Sequence, residues 1–165
     1  MKHFLMAALA AAVLLPLPAL ATVKVNWSTD KGDGAVQWLY GQPDEEESDQ
    51  VLAAACRKDG RIDVHAGAYD DVGEGKGEAV SVTLSSGGKS AVLNGKSQNS
   101  ENFEMTGGTE LFTTVGRDDA LFAVLATGKP ITATGVGNPK KPDTWGVTGL
   151  QKSAAAFLAA CPAKK

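Results

Sequence analysis

The sequence predicts a mainly β (α+β) fold: an antiparallel β-sandwich or barrel-like sheet, one short internal helix, and a C-terminal helix latched by a disulfide. Three observations predict it. Short runs of alternating apolar and polar residues recur along the chain between glycine-rich turn signals. Only two segments have convincing helical periodicity. The chain has two cysteines, Cys56 near the start of the β-rich part and Cys161 in the last predicted helix.

The first 21 residues have the pattern of a secretory signal peptide. Lys2 supplies a positive charge, residues 4–15 are apolar, and a site of small residues ends at Ala21. A membrane-spanning helix is the alternative, but it needs about 20 uninterrupted apolar residues, and Pro16 and Pro18 interrupt this stretch. We therefore expect residues 1–21 to be cleaved, and residues 22–165 to form one periplasmic or secreted domain with no stable membrane span.

The charge balance argues against nucleic acid as a partner. The chain has 16 Lys and Arg residues against 19 Asp and Glu residues, and its positive charges are dispersed. Binding to phosphate backbones requires a clustered basic surface, which this sequence lacks.

Export would place the cysteines in an oxidising compartment, where an even cysteine count usually indicates disulfides. With two cysteines, one intramolecular pairing exists, and a bond between Cys56 and Cys161 would clamp the closing helix onto the opening sheet. Two buried free cysteines are the alternative.

Alternation and turn residues predict the strands in chain order. The predicted strands cover residues 23–27, 35–40, 51–57, 61–65, 79–84, 89–93, 103–106, 109–115, 131–136 and 145–147. Turns are predicted at Asp59-Gly60, Gly87-Gly88 and Asn94-Gly95. Residues 44–49 are expected to form an acidic loop, and residues 66–78 a flexible polar loop. The alanines of residues 51–57 would also suit a helix.

Two helices are predicted. Asp118 is the expected cap of a helix over residues 118–127, which Gly128 ends. Thr148 is the expected cap of the closing helix. Five residues of that helix recur at spacings that share one face, which directs the cysteine toward the core: Leu150, Ala154, Phe157, Leu158 and Cys161.

No set of residues in the sequence predicts catalysis, a metal site or a cofactor site. His65 is the one histidine left after cleavage, so paired-histidine metal sites are excluded, and a lone histidine in a strand is usually a surface or edge residue. Paired cysteines cannot act as thiolates. Four carboxylates could offer oxygen ligands to calcium, but without the order of an EF-hand loop: Asp70, Asp71, Glu74 and Glu78. We therefore expect a non-enzyme.

Aromatic residues could line a groove, although at alternating strand positions they normally belong to the core. They are Trp27, Trp38, Tyr40, Tyr69, Phe103, Phe112 and Trp145.

Both ends of the mature domain resemble known exported proteins. The segment Leu39-Tyr40-Gly41-x-Pro43-Asp44, a following cysteine, Asp-Gly and an Ile-x-Val strand resemble the opening of small Gram-negative exported proteins of unknown function. The ending, an aromatic and valine strand, then Gly149-Leu150, an alanine-rich helix and Cys161, resembles that of invasion-associated locus B-like proteins and a type VI secretion accessory family. The middle, residues 66–115, is not covered. The resemblance implies periplasmic sandwich or barrel-like proteins with accessory or interaction roles.

The leading functional hypothesis is a periplasmic, non-catalytic binding or accessory protein. Its partner would be an envelope protein or cell-wall component, and the variable loops between residues 66 and 101 are the expected recognition region. The alternative is an inhibitor of a cell-wall enzyme such as lysozyme, with Lys89, Lys96, Ser97 and the Gly87-Gly88 turn as candidate contacts. An uncharacterised periplasmic hydrolase is a third hypothesis. The sequence predicts no oligomeric state.

The signal-peptide assignment predicts the start of the mature protein. When the full chain is expressed in a Gram-negative host, the exported product should begin at Thr22. Intact-mass measurement checks this, and an exported product that retains residues 1–21 would contradict it.

Overall fold

The computed structural model describes residues 22–31, 37–44, 50–67, 69, 71–100, 104, 107–137 and 142–162. The predicted signal peptide, most of the acidic loop 44–49 and most of the strand predicted at 103–106 lie outside the described residues. The described residues include ten strands and two helices, of six and eleven residues. The strands are β1 (Thr22–Val23), β2 (Val25–Asp30), β3 (Gln37–Pro43), β4 (Leu52–Cys56), β5 (Ile62–Ala66), β6 (Lys76–Ser86), β7 (Lys89–Asn99), β8 (Thr109–Val115), β9 (Ile131–Thr134) and β10 (Asp143–Trp145), and the helices are α1 (Ala120–Leu125) and α2 (Leu150–Ala160).

The strands form one nearly closed, barrel-like sheet in the order β1-β10-β9-β6-β7-β8-β5-β4-β3-β2. Neighbouring strands are antiparallel except β1 and β10, which are parallel. β1 and β2 adjoin in sequence but lie at opposite ends of this order. A parallel bridge from Asn26 to Thr148 brings the two ends together, and the Trp27 N–H donates to the Thr148 carbonyl at 2.9 Å. The predicted mainly β, barrel-like fold is therefore confirmed.

Side chains alternate between a filled interior and the outer surface. Buried interior residues include Leu39 of β3, Val64 of β5, Leu84 of β6 and Trp145 of β10. Because successive strand residues point to opposite faces, their neighbours in sequence face outward. None of the helices in the described part of the chain is long and apolar enough to cross a membrane.

The turns predicted at Asp59-Gly60 and Gly87-Gly88 are present. Lys58, Asp59 and Gly60 connect β4 to β5, and the Gly60 N–H donates to the Arg57 carbonyl at 3.0 Å. Gly87 and Gly88 connect β6 to β7 with φ values of 55° and 82°, the positive values that a two-residue type I′ turn requires.

The turn predicted at Asn94-Gly95 is wrong, because β7 runs through both residues to Asn99. Gly95 permits close strand approach instead of a turn, since a Cβ atom there would overlap the carbonyl oxygen of Phe112 on β8.

Both helix caps differ from the predicted ones. Asp119, rather than Asp118, caps α1, because its carboxylate accepts a hydrogen bond from the Leu121 N–H at 2.9 Å. Gly149 holds the cap position of α2 without a side-chain hydrogen bond. Thr148 instead contributes its backbone carbonyl to the closure of the sheet.

The predicted apolar face of α2 is confirmed. Leu150, Ala154 and Phe157 are buried, and Cys161 directly after the helix is buried as well. The Arg117 guanidinium donates hydrogen bonds to the last carbonyls of this segment, those of Leu158 and Cys161, at 2.7 Å each. A cation at this position complements the negative end of the helix dipole.

The predicted disulfide joins Cys56 at the end of β4 to Cys161 after α2, with the two Cα atoms 5.6 Å apart. Both residues are buried in the core. The bond therefore ties the C-terminal helix, which packs against β2 and β3, to the neighbouring strand β4. The alternative of two free cysteines is excluded.

Replacing both cysteines, C56A/C161A, should lower the free energy of unfolding by about 2–4 kcal/mol, because the unfolded chain gains the freedom of a long loop. Urea denaturation monitored by tryptophan fluorescence measures the loss. Wild-type protein treated with a reductant is the matched control and should be destabilised to a similar extent. An unchanged denaturation midpoint in both samples would contradict a stabilising role for the bond.

Candidate functional site

A row of side chains crosses the outer surface of five adjacent strands. The register pairs Tyr40 with Ala53, Ala53 with His65, His65 with Phe112, and Phe112 with Lys96. Directly opposite residues in antiparallel strands project to the same face. The row therefore runs continuously from β3 through β4, β5 and β8 to β7.

Four rings in and beside this row contact one another, and we call them the aromatic face: Trp38, Tyr40, His65 and Phe112. The rings of Trp38 and Tyr40 stack with centroids 5.4 Å apart and planes within 6°. The His65 ring lies 6.3 Å from that of Trp38 and meets Phe112 edge-on at 5.0 Å. All four residues are half-buried. They form one contiguous surface.

The floor of the aromatic face is made of alanine. Ala53 and Ala55 point outward from β4, yet they are only 4% and 2% exposed. Their larger neighbours on β3 and β5 close over them, since Ala53 lies between Tyr40 and His65 in the register. Small residues in the middle strand thus allow the rings on both sides to approach.

The expectation that strand aromatics belong to the core is confirmed for Trp27 and Trp145, which are buried. It is wrong for Trp38, Tyr40 and Phe112, whose side chains point outward. Tyr69 packs partly buried against the core, and Phe103 lies outside the described residues.

Glu110 and Gln98 form a polar edge of the aromatic face, and hydrogen bonds join Glu110 to both Gln98 and His65. The carboxylate oxygen Oε1 of Glu110 lies 2.7 Å from His65 Nδ1 and accepts a hydrogen bond from Gln98 Nε2 at 2.9 Å. A carboxylate only accepts hydrogen bonds, so the imidazole hydrogen belongs on Nδ1. The Glu110 side chain is 7% exposed. This pairing fixes the orientation of the His65 ring.

A second carboxylate on the same surface is also paired. Asp63 is buried and forms an ion pair with the Arg57 guanidinium, and it accepts a hydrogen bond from the Thr114 hydroxyl at 3.0 Å. The Arg57 side chain is itself half exposed. Asp63 is therefore held by Arg57 directly after β4 and by Thr114 of β8.

The three candidate binding residues lie on different surfaces. Lys96 is exposed in the row of the aromatic face, beside Phe112. Ser97 points inward and is 1% exposed, and its hydroxyl donates to the Val72 carbonyl at 2.5 Å and accepts from the Gly75 N–H at 2.8 Å. Lys89 is exposed beside the Gly87-Gly88 turn at the other end of β7. Their role in binding stays a prediction.

Sequence reasoning placed His65 at the surface but missed Gln98 and Glu110. The sequence does contain one indication of the position of Glu110. The alternation in residues 109–115 puts it on the face opposite the buried Leu111. That alternation cannot show which strand lies next to β8, and so it could not identify His65 as the partner of Glu110.

The described part of residues 66–78 is not the flexible polar loop that was expected. Val72 is buried in the core, and its N–H donates to the Thr109 carbonyl at 3.0 Å. The Asp71 carboxylate accepts a hydrogen bond from the Thr109 N–H at 2.8 Å. Together with the bonds of Ser97, these contacts fasten the segment to β7 and β8. Asp70 lies outside the described residues.

The carboxylates considered as possible calcium ligands, and expected instead to lie in a polar loop, have other partners here. Glu78 accepts hydrogen bonds from the backbone N–H groups of Glu74 and Lys76, the latter at 3.0 Å. The Glu74 backbone N–H in particular lowers the pKa of Glu78 from its ordinary value. The Glu74 carboxylate binds the Lys76 ammonium at 2.9 Å and raises the pKa of Lys76. Across the described ranges, no group of three or more His, Cys, Asp or Glu side chains is arranged to hold a metal ion.

The lowered pKa of Glu78 predicts a pH-dependent contribution to stability. The folded state favours the charged carboxylate, so the contribution is complete above the ordinary pKa of 4.5 and is lost as pH falls through the lower folded-state pKa. E78Q should therefore be less stable than wild type at pH 7, with a difference that shrinks below about pH 4. Urea denaturation between pH 7 and pH 3 measures this difference.

The matched control is E104Q, which removes one charge from an exposed glutamate. A stability difference for E78Q that stays constant from pH 7 to pH 3 would contradict the role given to the charged carboxylate.

No protein-family model, curated protein or solved structure matches the chain. The resemblance of its two ends to exported accessory proteins therefore stays a prediction, and the functional proposal depends on the geometry of the aromatic face.

Proposed function

We propose that this protein is an exported, non-catalytic binding protein that contacts its partner through the aromatic face. The observation that carries this proposal is the position of Trp38, Tyr40 and Phe112 on the outer surface of a barrel whose interior is filled by other residues. These three rings are not required to fill the core. A contiguous aromatic surface rimmed by polar residues is typical of a recognition site.

The chemistry of the face suits tight recognition. Large aromatic side chains contribute most of the binding energy at protein interfaces, and they lose little conformational entropy when they are already ordered. Trp38 and Tyr40 are ordered by stacking, and His65 by Glu110. Lys96 and Arg57 add positive charge at the rim of the face.

The hydrogen bond between His65 and Glu110 suits a fixed recognition surface, because it holds the imidazole ring in one orientation. Among the described residues, the side-chain hydrogen-bond partner of His65 is Glu110, which orients the ring. Both cysteines are held in the disulfide.

The disulfide also supports an extracytoplasmic location, because such bonds persist in oxidising compartments. A periplasmic or secreted location, with an envelope protein or cell-wall component as partner, is part of this proposal.

The alternative function, inhibition of a cell-wall enzyme such as lysozyme, is favoured by one observation. The Gly87-Gly88 turn and Lys89 are exposed at the end of the hairpin formed by the two longest strands, β6 and β7. Lys96 lies about 23 Å further along β7, at roughly 3.3 Å per residue. An inhibitor would therefore use the turn with Lys89, and loss of inhibition in K89A would identify it. No inhibition of lysozyme at micromolar wild-type protein would exclude this alternative for lysozyme.

The binding proposal predicts that W38A/Y40A weakens partner binding about 10- to 100-fold, the range expected when aromatic anchors are truncated. The partner is first captured from envelope extract with immobilised wild-type protein and identified by mass spectrometry. Its affinity for each variant is then measured by isothermal titration calorimetry.

S81A is the matched control, because Ser81 is exposed on β6 away from the aromatic face. Circular dichroism verifies that both variants are folded. Equal affinities for the folded W38A/Y40A variant and wild type would exclude the aromatic face as the binding site, and turnover of a substrate by the purified protein would exclude the non-catalytic role.

A further inference from the structure

The first half of β7 has a neighbouring strand on one side only. β6 pairs with β7 from the turn onward, whereas β8 pairs with β7 only from Lys96 to Asn99. β8 then leaves β7 because it continues along β5 as far as the pair of Ile62 and Val115. The segment 90–94 therefore lies at an edge with no paired strand, which we call the open edge. The helix α1 packs against β7 and, less extensively, against β6.

The register shows which backbone groups face this open edge. Ser86 and Lys89 flank a two-residue turn, so they exchange both backbone hydrogen bonds, and such pairs recur at every second residue. The odd-numbered residues of β7 thus bond to β6, and the even-numbered residues point away from it. The bond from the Ser100 N–H to the Gly108 carbonyl agrees with this alternation.

Ser90, Val92 and Asn94 consequently direct three N–H and three C=O groups outward along the edge. All three residues are exposed. Within the described ranges, no backbone or side-chain group bonds to the edge-facing backbone groups of these three residues.

The side chains at this edge do not have the features by which proteins usually prevent edge pairing. Residues 90–94 include no proline and no charged residue. Val92, in the centre, is 58% exposed and is the one exposed large hydrophobic residue among those described. An edge with unpaired backbone groups and a central apolar side chain is suited to adding another strand.

We propose that this edge binds the same edge of a second copy of the chain. The segment is self-complementary in the antiparallel arrangement: with a two-fold axis at Val92, Val92 faces Val92 of the second copy and Ser90 faces Asn94. Each of these opposed residues directs its N–H and C=O toward the other copy, as hydrogen-bonded antiparallel pairs require. No like charges face each other across this pairing. Closed two-fold dimers are also the commonest form of homo-oligomer.

The dimer extends the proposed function without depending on it. In this dimer the two copies of β7 would lie side by side in one continuous sheet. The two-fold axis that relates two antiparallel strands is perpendicular to their sheet. The outward faces of both copies therefore lie on the same side of the sheet. The two aromatic faces would then be presented to one surface. Binding of a repetitive or multimeric partner would gain avidity from this arrangement.

Analytical ultracentrifugation of the purified, oxidised protein over a range of concentrations tests the proposal. Wild type should dimerise reversibly. V92K and V92E should each raise the dimer dissociation constant about tenfold or more, because like charges would face each other at the axis. An equimolar mixture of V92K and V92E should form a heterodimer, because opposite charges then face each other, and this recovery also shows that both variants are folded.

T83K is the matched control. Thr83 lies opposite Val92 on β6 and points to the same outer surface, but it lies away from the open edge of β7. T83K should dimerise like wild type. A monomeric wild type, an unaffected V92K dimer, or a V92K and V92E mixture that stays monomeric would each overturn the proposal.

A second readout does not depend on charge. V92C should form an intermolecular disulfide under mild oxidation, since residues on the axis have Cα atoms about 5.5 Å apart in such a pair. T83C should not cross-link. Equal cross-linking of both variants would overturn the arrangement of the dimer.

Discussion

The contact of Trp27 with the segment after β10 holds the barrel together. The Trp27 backbone N–H donates to the Thr148 carbonyl, and its indole N–H donates to the Gly146 carbonyl at 2.8 Å. The Trp27 carbonyl accepts a hydrogen bond from the Ser153 hydroxyl at 2.9 Å. One residue near the start of the described chain thus binds the last strand region and the C-terminal helix. Closure of the sheet and the placement of α2 therefore depend on the same residue, through its backbone and its indole ring.

Two glycines make this contact possible. The Trp27 indole lies against Gly41 of β3, where a Cβ atom would come within 2.9 Å of the ring. At Gly149 a Cβ atom would lie 2.8 Å from the Trp27 carbonyl oxygen. Once α2 is docked in this way, Cys161 at its end meets Cys56 on β4. The disulfide and the contacts of Trp27 therefore hold α2 in the same position.

The sequence could predict local structure but not the partners of each strand. Alternation around Leu84 and Leu111 identified β6 and β8, and the spacing of Leu150, Ala154 and Phe157 identified the buried face of α2. Asn94-Gly95 was predicted as a turn because the local signal favours one. The close approach of Phe112, an interaction 17 residues away, keeps this dipeptide in a strand. Strand pairing therefore overrides the local preference of this dipeptide for a turn.

The candidate site could not be predicted from the sequence for a related reason. β3 carries apolar side chains on both faces, so alternation alone cannot tell whether Leu39 or Trp38 points inward. The pairing of His65 with Glu110 joins residues 45 positions apart, and it becomes visible only when β5 and β8 are known to be neighbours. The two cysteines were easier to pair because two thiols allow a single intramolecular bond.

Placement of the aromatic face on strands has a consequence for recognition. A loop must lose conformational freedom when it binds, whereas Trp38, Tyr40 and His65 already have fixed neighbours before any partner arrives. Glu110 and Asp63 are buried carboxylates whose hydrogen bonds are satisfied within the sheet, so a partner that covers the rings need not supply bonds for them. The barrel therefore presents an apolar surface whose polar edge is already satisfied, and the desolvation cost of covering this face is correspondingly small.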